Sequence, residues 1–166
     1  SAAMAIPAAL VVMSLVVSAH VLQAKNVEVG RGADTFLADS RGTIVNEALR
    51  EVARAVKPNE TLVVLPEGVM LNYLSRRRSS TPYITFMPPE LIIFGESHIL
   101  STLRDSPPDY VALVHKDTSE YGSRFFGRDY GETLYRWVLN GYEQVAVFGA
   151  EPLQSDQFGI ALLKKK

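Results

Sequence analysis

The sequence predicts an α/β protein: a three-layer, Rossmann-like, mainly parallel sheet with an antiparallel edge strand, preceded by an apolar N-terminal helix. Three observations predict it. Thr61 to Leu65 and Tyr110 to Val114 are short β-rich runs without polar alternation, as suits strands covered on both faces. Segments with helical spacing separate such runs, which implies crossover connections. The last two strand-like runs, Gln144 to Phe148 and Phe158 to Leu163, have no helix between them and predict an antiparallel hairpin.

Taken in order, residues 1–25 read as an apolar membrane-spanning or membrane-proximal helix, 26–42 as a linker, and 43–166 as a soluble α/β domain. Ser1 to Ala24 carries no formal charge, and only Pro7 and Ser14 interrupt Ala2 to Val17. Such a run is marginal for a complete span, which needs about 20 apolar residues. Three readings stay open: the end of a transmembrane helix, a signal peptide with Val17-Ser18-Ala19 before its cleavage point, or a buried soluble helix. In each, its apolar surface must pack on something, including a second copy of the chain. The chain opens on Ser1 rather than Met, which reads as a piece of a longer protein with Ser1 to Ala3 as an added remnant.

Thr43 to Lys57 has the clearest helical spacing, with Ile44, Val45, Ala48, Leu49, Val52, Ala53 and Val56 on one side. Thr43 is expected to cap it, and Pro58-Asn59 to end it. After the strand at Thr61 to Leu65, Pro66-Glu67-Gly68 breaks the run, and Val69 to Ser75 predicts a short helix. Arg76-Arg77-Arg78-Ser79-Ser80 reads as a basic turn, and Tyr83 to Met87 as a second strand closed by Pro88-Pro89. Leu91 to Phe94 fits strand or helix. Ser97 to Arg104 is expected to be helical and to stop at Pro107-Pro108, before the strand at Tyr110 to Val114. Asp129 to Asn140 is an amphipathic helix with Gly141 placed as a C-terminal cap. The Pro152 to Asp156 turn joins the final hairpin, and Lys164-Lys165-Lys166 reads as a solvated tail.

Composition excludes several functions. A net charge of −1 argues against a nucleic-acid partner, which needs a dense Lys/Arg surface. The absence of cysteine removes disulfides, thiolate nucleophiles and Cys-ligated zinc, and no cofactor is expected. Gly30 and Gly32 lack the remainder of a phosphate-binding loop.

Ligands of open α/β sheets bind beyond the carboxyl ends of the strands. Two polar segments fall there: Pro66-Glu67-Gly68, and His115-Lys116-Asp117-Thr118-Ser119-Glu120-Tyr121-Gly122. If their strands are neighbours, Glu67 converges with His115 or Asp117. His115, Asp117 and Glu120 have the donor chemistry for a divalent cation. The reading favoured over a cation is that this loop hydrogen-bonds its own backbone in Asx and Ser/Thr turns, so no metal is assigned. Glu67 sits where carbon–nitrogen hydrolases place a general base, but their Cys nucleophile has no counterpart. Ser119 and His115 lie too close for a serine-hydrolase triad. Arg76, Arg77 and Arg78 are candidates for lipid-phosphate contact, against a plain solvated turn. Tyr121, Phe125, Phe126 and Tyr130, interleaved with Gly122, Gly127 and Gly131, read first as an aromatic anchor for a long loop, and second as a sugar-stacking platform.

One series of motifs carries a resemblance. Leu65-Pro66-Glu67-Gly68, Leu71-Asn72-Tyr73-Leu74, Pro107-Pro108-Asp109-Tyr110-Val111, Asp117-Thr118-Ser119-Glu120-Tyr121-Gly122 and Gly127-Arg128-Asp129-Tyr130-Gly131 resemble the C-terminal soluble region of bacterial multi-spanning glycosyltransferases. These are similar to dolichyl-phosphate-mannose protein mannosyltransferases and lipid A aminoarabinose transferases. The resemblance covers about Thr43 to Lys164 and implies a polyprenyl-phosphate sugar donor. It also implies that the catalytic aspartate lies in an early loop outside this chain, and that this domain lies outside the cytoplasm, assisting acceptor binding or stability. Asp129 echoes the Asp-Tyr-Gly of oligosaccharyltransferase catalytic subunits, but the preceding tandem Trp is missing and that role is not carried over. The ligand-binding candidates are therefore Glu67, Asn72, Arg76, Arg78, His115, Asp117, Glu120, Tyr121 and Asp129. The expected partners are a membrane, a glycan or polyprenyl-phosphate sugar, and a second copy through the apolar N-terminal segment.

Overall fold

The run of small and aliphatic residues at the start winds into α1, Ala2–Gln23, in a computed structural model that describes residues 2–166. Leu10, Val17 and Leu22 of this helix are 58%, 57% and 66% exposed. The membrane-spanning reading of residues 1–25 is corrected: among the described residues, no helix is long and apolar enough to cross a membrane. The chain divides into two compact units, Ser1–Thr43 and Ile44–Lys166.

The stretch read as a linker carries structure in the first unit. Strands β1, Val27–Val29, and β2, Phe36–Ala38, pair antiparallel across a 3-10 turn at Gly32–Asp34, with Val27 opposite Ala38. The next helix, α2, spans Arg41–Ala55. It starts two residues earlier than its apolar spacing suggests, because Asp39 Oδ1 accepts the Arg41 N–H at 3.0 Å. Thr43 therefore lies inside the helix and Asp39 holds its entry.

In the second unit, β3 is Leu62–Leu65, α3 Val69–Ser75, α4 Pro88–Phe94, α5 Glu96–Asp105 and β4 Tyr110–Val114. They are followed by α6, Glu132–Gly141, β5, Tyr142–Gly149, and β6, Gly159–Lys165. Three expectations are corrected here. Tyr83 to Met87 is not a strand: the Phe86 N–H reaches the Pro66 carbonyl at 2.7 Å, but Pro82 and Pro88 bracket the segment and no ladder forms. Pro88 and Pro89 open α4 instead of closing a strand, as befits a residue without an N–H at the first helical positions. Lys164 and Lys165 pair in β6, opposite Tyr110 and Tyr142, so only their side chains are solvated.

The sheet has the order β3-β4-β6-β5. Strands β3 and β4 are parallel, while β6 is antiparallel to both β4 and β5. The reversed strand is thus internal, not at the edge as expected. The short connection from β5 to β6 permits only a hairpin. Gly159–Leu163 of β6 is buried throughout, whereas β5 exposes Glu143, Gln144, Val145 and Val147 and takes the outer place. A bulge between Gln144 and Ala146 interrupts that edge. At the opposite edge, the Leu62 N–H donates to the Arg78 carbonyl and Asn72 Nδ2 donates to the Leu62 carbonyl, so a loop covers β3.

Alternate strand residues feed two apolar clusters. Val63, Leu65, Val111, Leu113, Ala161 and Leu163 pack with residues of α5 and α6. Leu62, Val64, Ala112, Ile160 and Leu162 pack with Ala48 and Val52 of α2 and with Val56 just after it. The result is a mixed α/β unit on a four-stranded mixed sheet that does not close into a barrel.

Candidate functional site

The register of β3 and β4, with Leu65 opposite Leu113, brings the loops after the two strands side by side. The Glu67 carboxylate meets Lys116 Nζ at 3.1 Å, both side chains partly exposed. The convergence expected at the strand ends is realised through Lys116, the residue between His115 and Asp117.

His115 is held by its surroundings. Its N–H donates to the Gly159 carbonyl at 2.9 Å, and Nδ1 accepts the Leu153 N–H at 3.3 Å. Its ring lies 5.4 Å from that of Phe125. Burial lowers its pKa below the ordinary imidazole value, against the opposing charges of Asp117 and Asp156. A neutral ring that accepts a backbone proton is a structural group.

Asp117 organises the loop after β4. It accepts the Ser119 N–H at 2.9 Å, the Ser119 hydroxyl at 2.5 Å and Arg124 Nε at 2.9 Å. The Ser119 hydrogen bonds, then that from Arg124, hold its carboxyl far below the usual carboxylate range. Arg124 also pairs with Asp156, and its guanidinium lies 4.6 Å from the centre of the Phe125 ring. Asp129 closes the far end of the loop, with Oδ2 accepting the N–H groups of Arg124 and Phe125 at 3.1 and 2.8 Å. Hydrogen bonds from Arg128 and from those amides lower its pKa. Fully buried Thr118 donates its hydroxyl proton to the Ser123 and Arg124 carbonyls. The Asx and Ser/Thr turn reading of this loop describes it well.

The other candidates divide. Asn72 ties α3 to β3, its Nδ2 donating to the Leu62 and Arg77 carbonyls at 2.7 and 3.1 Å. Arg76 and Arg78 are exposed, with the Arg76 guanidinium 4.4 Å above the Tyr73 ring. Arg77 is not part of a solvated turn, because its guanidinium donates to the Val56 and Ser75 carbonyls. Glu120 and Tyr121 are exposed on the 3-10 turn Ser119–Tyr121. Among the described residues, no group of three or more His, Cys, Asp or Glu side chains is placed to hold a metal ion.

The aromatics behave as loop anchors. Phe125 and Phe126 are buried, and Phe126 meets Tyr130 and Tyr135 edge-on at 5.7 and 5.9 Å. Gly127 and Gly131 leave room for them: a Cβ on either would stand 2.3 Å from an atom of Tyr135 or Phe126. Two buried polar atoms here make no hydrogen bond of ordinary geometry, the Tyr130 hydroxyl and Glu90 Oε2. Burial chiefly pushes the Tyr130 phenol up to about 12, against the lowering effect of the Thr118 hydroxyl beside it and with lesser contributions from the charges of Glu67 and Glu90. Sequence reasoning missed Lys116, Arg124 and Glu90 as members of this region. Only strand adjacency would have pointed to Lys116, and nothing local marks Glu90.

Comparison with family models, with curated proteins and with solved structures finds no match to this chain.

Proposed function

We propose that this chain is a non-catalytic, extracytoplasmic accessory domain of a membrane glycosyltransferase that draws on a polyprenyl-phosphate sugar, and that it recognises a glycan or lipid-phosphate group at the ends of β3 and β4. The observation that carries this reading is the division of labour among its polar groups. Asp117, Asp129 and His115 are engaged in holding loops. By contrast, Glu90 Oε2 is buried and unpartnered, and the buried Tyr130 hydroxyl has the Thr118 hydroxyl beside it but makes no hydrogen bond of ordinary geometry, near the Glu67–Lys116 pair. A phenol that stays protonated and a carboxylate oxygen are the donor and acceptor that sugar hydroxyls need. Acid–base catalysis instead calls for groups tuned towards working pH.

Two further features support the placement. Leu10, Val17 and Leu22 of α1 are exposed and offer an apolar contact surface, although α1 is not long and apolar enough to cross a membrane. The motif series from Leu65 to Gly131 has the order of the glycosyltransferase tail domains it resembles. The apolar clusters on both faces of the sheet favour a three-layer, Rossmann-like arrangement of the second unit. NMR titration of the chain with sugar phosphates and with farnesyl phosphate tests the binding half. Shifts at Glu67, Lys116, Thr118 and Tyr130 are expected, and a silent spectrum at millimolar ligand rejects it.

A further inference from the structure

A second surface of the Ile44–Lys166 unit is apolar and lies outside the strand-end site. On α4, Leu91 turns to the core while Ile92 and Ile93 stand 83% and 71% exposed. Phe94 follows, its ring 5.2 Å from that of Tyr83. Tyr83 in turn lines a recess of about 160 Å³ together with exposed Val69 and Ile84. From Val69, α3 leads one turn on to exposed Tyr73, over whose ring the Arg76 guanidinium lies, and exposed Arg78 follows. The acidic residue of α4, Glu90, has one carboxylate oxygen buried.

We propose that this surface docks onto an anionic lipid bilayer, with Ile92 and Ile93 entering the acyl boundary and Arg76 and Arg78 meeting lipid phosphates. Large exposed apolar patches on a soluble unit mark contact sites. A surface that runs from Ile92, Ile93 and Phe94 through Tyr83, Val69 and Tyr73 to arginine has the chemistry of an interfacial anchor, apolar at one part and cationic at another. Arginine suits that height because its planar fork matches phosphate oxygens. Arg77 takes no part, since its guanidinium serves the Val56 and Ser75 carbonyls. The inference goes beyond the accessory-domain reading and holds whether or not the chain takes part in sugar transfer.

The chain has no cysteine, so single labels are clean. Ile93→Cys and, as a control on β5, Gln144→Cys would each carry an environment-sensitive fluorophore in the full chain. Vesicles of phosphatidylcholine with 30% phosphatidylglycerol should shift the Ile93 label to the blue and leave the Gln144 label unchanged. Arg76→Asn with Arg78→Gln should weaken that shift at least about tenfold in lipid concentration. Salt at 0.5 M should weaken it likewise in the unaltered surface, a readout that needs no arginine variant to fold. A silent Ile93 label overturns the proposal. So does an equal shift on neutral vesicles, or a shift that grows with protein concentration without lipid, which would make a second copy the occupant.

Discussion

Glu67 and Lys116 form an ion pair at 3.1 Å across the carboxyl ends of two parallel strands. Both side chains are partly exposed, so the pair contributes no more than about 1 kcal/mol to stability. Glu67→Gln should therefore leave the denaturation midpoint nearly unchanged. If the pair serves recognition, the same variant should weaken sugar-phosphate binding several-fold in calorimetry.

Tyr130→Phe separates a binding role from a structural one. Its buried hydroxyl makes no hydrogen bond of ordinary geometry, so removing it should be neutral or stabilise the fold by up to about 1 kcal/mol. A loss of more than about 1 kcal/mol in urea denaturation would mean that the hydroxyl has an intramolecular partner.

Thr61 and Asp109 clamp the beginnings of the same two strands. Asp109 Oδ2 accepts the Thr61 N–H and hydroxyl at 2.8 and 2.9 Å, and the Asp109 N–H donates to Thr61 Oγ1 at 3.1 Å. Asp109→Ala should cost about 2–3 kcal/mol, measured by chemical denaturation, because it orphans part-buried donors.

Much of the sheet was legible in the sequence, and the exceptions have physical reasons. The Tyr110 to Val114 and Val69 to Ser75 boundaries coincide with β4 and α3, since proline and glycine punctuate both. Tyr83 to Met87 misled because Phe86 and Met87 are buried, and burial without a ladder leaves the same apolar pattern as a strand. The place of β6 between β4 and β5 is a tertiary choice about which strand is most fully covered, and no local spacing encodes it. At the site, the convergence of the two strand-end loops followed from strand adjacency. That Asp117 and Asp129 are occupied by Arg124 and its amide could not be read, because the partners lie across a loop.

Acid should test Asp117. Its folded pKa lies below the ordinary value of 3.8, so the charged form stabilises the native state. That contribution is complete above the unfolded pKa and is lost as pH falls below it towards the lower folded value. The stability difference between the wild type and Asp117→Asn should shrink as urea titrations move from pH 6 to pH 2. A constant difference would contradict the hydrogen-bonded carboxylate.

His115 should behave in the same sense at higher pH. Burial depresses its pKa below 6.5, so neutral His115 favours folding, and this contribution fades as pH drops from 6.5 towards the folded value. Imidazole NMR titration should show a midpoint below 6.5, and a midpoint above it would rule out the buried neutral ring.

The central claim is that these residues recognise a sugar or lipid phosphate while bond-making groups lie in other segments of the parent protein. Its most direct test is release of polyprenyl phosphate from a polyprenyl-phosphate sugar, with peptide and lipid acceptors present and this chain alone as protein. The account predicts no release above the protein-free rate at any chain concentration. Release that rises in proportion to the chain would contradict it.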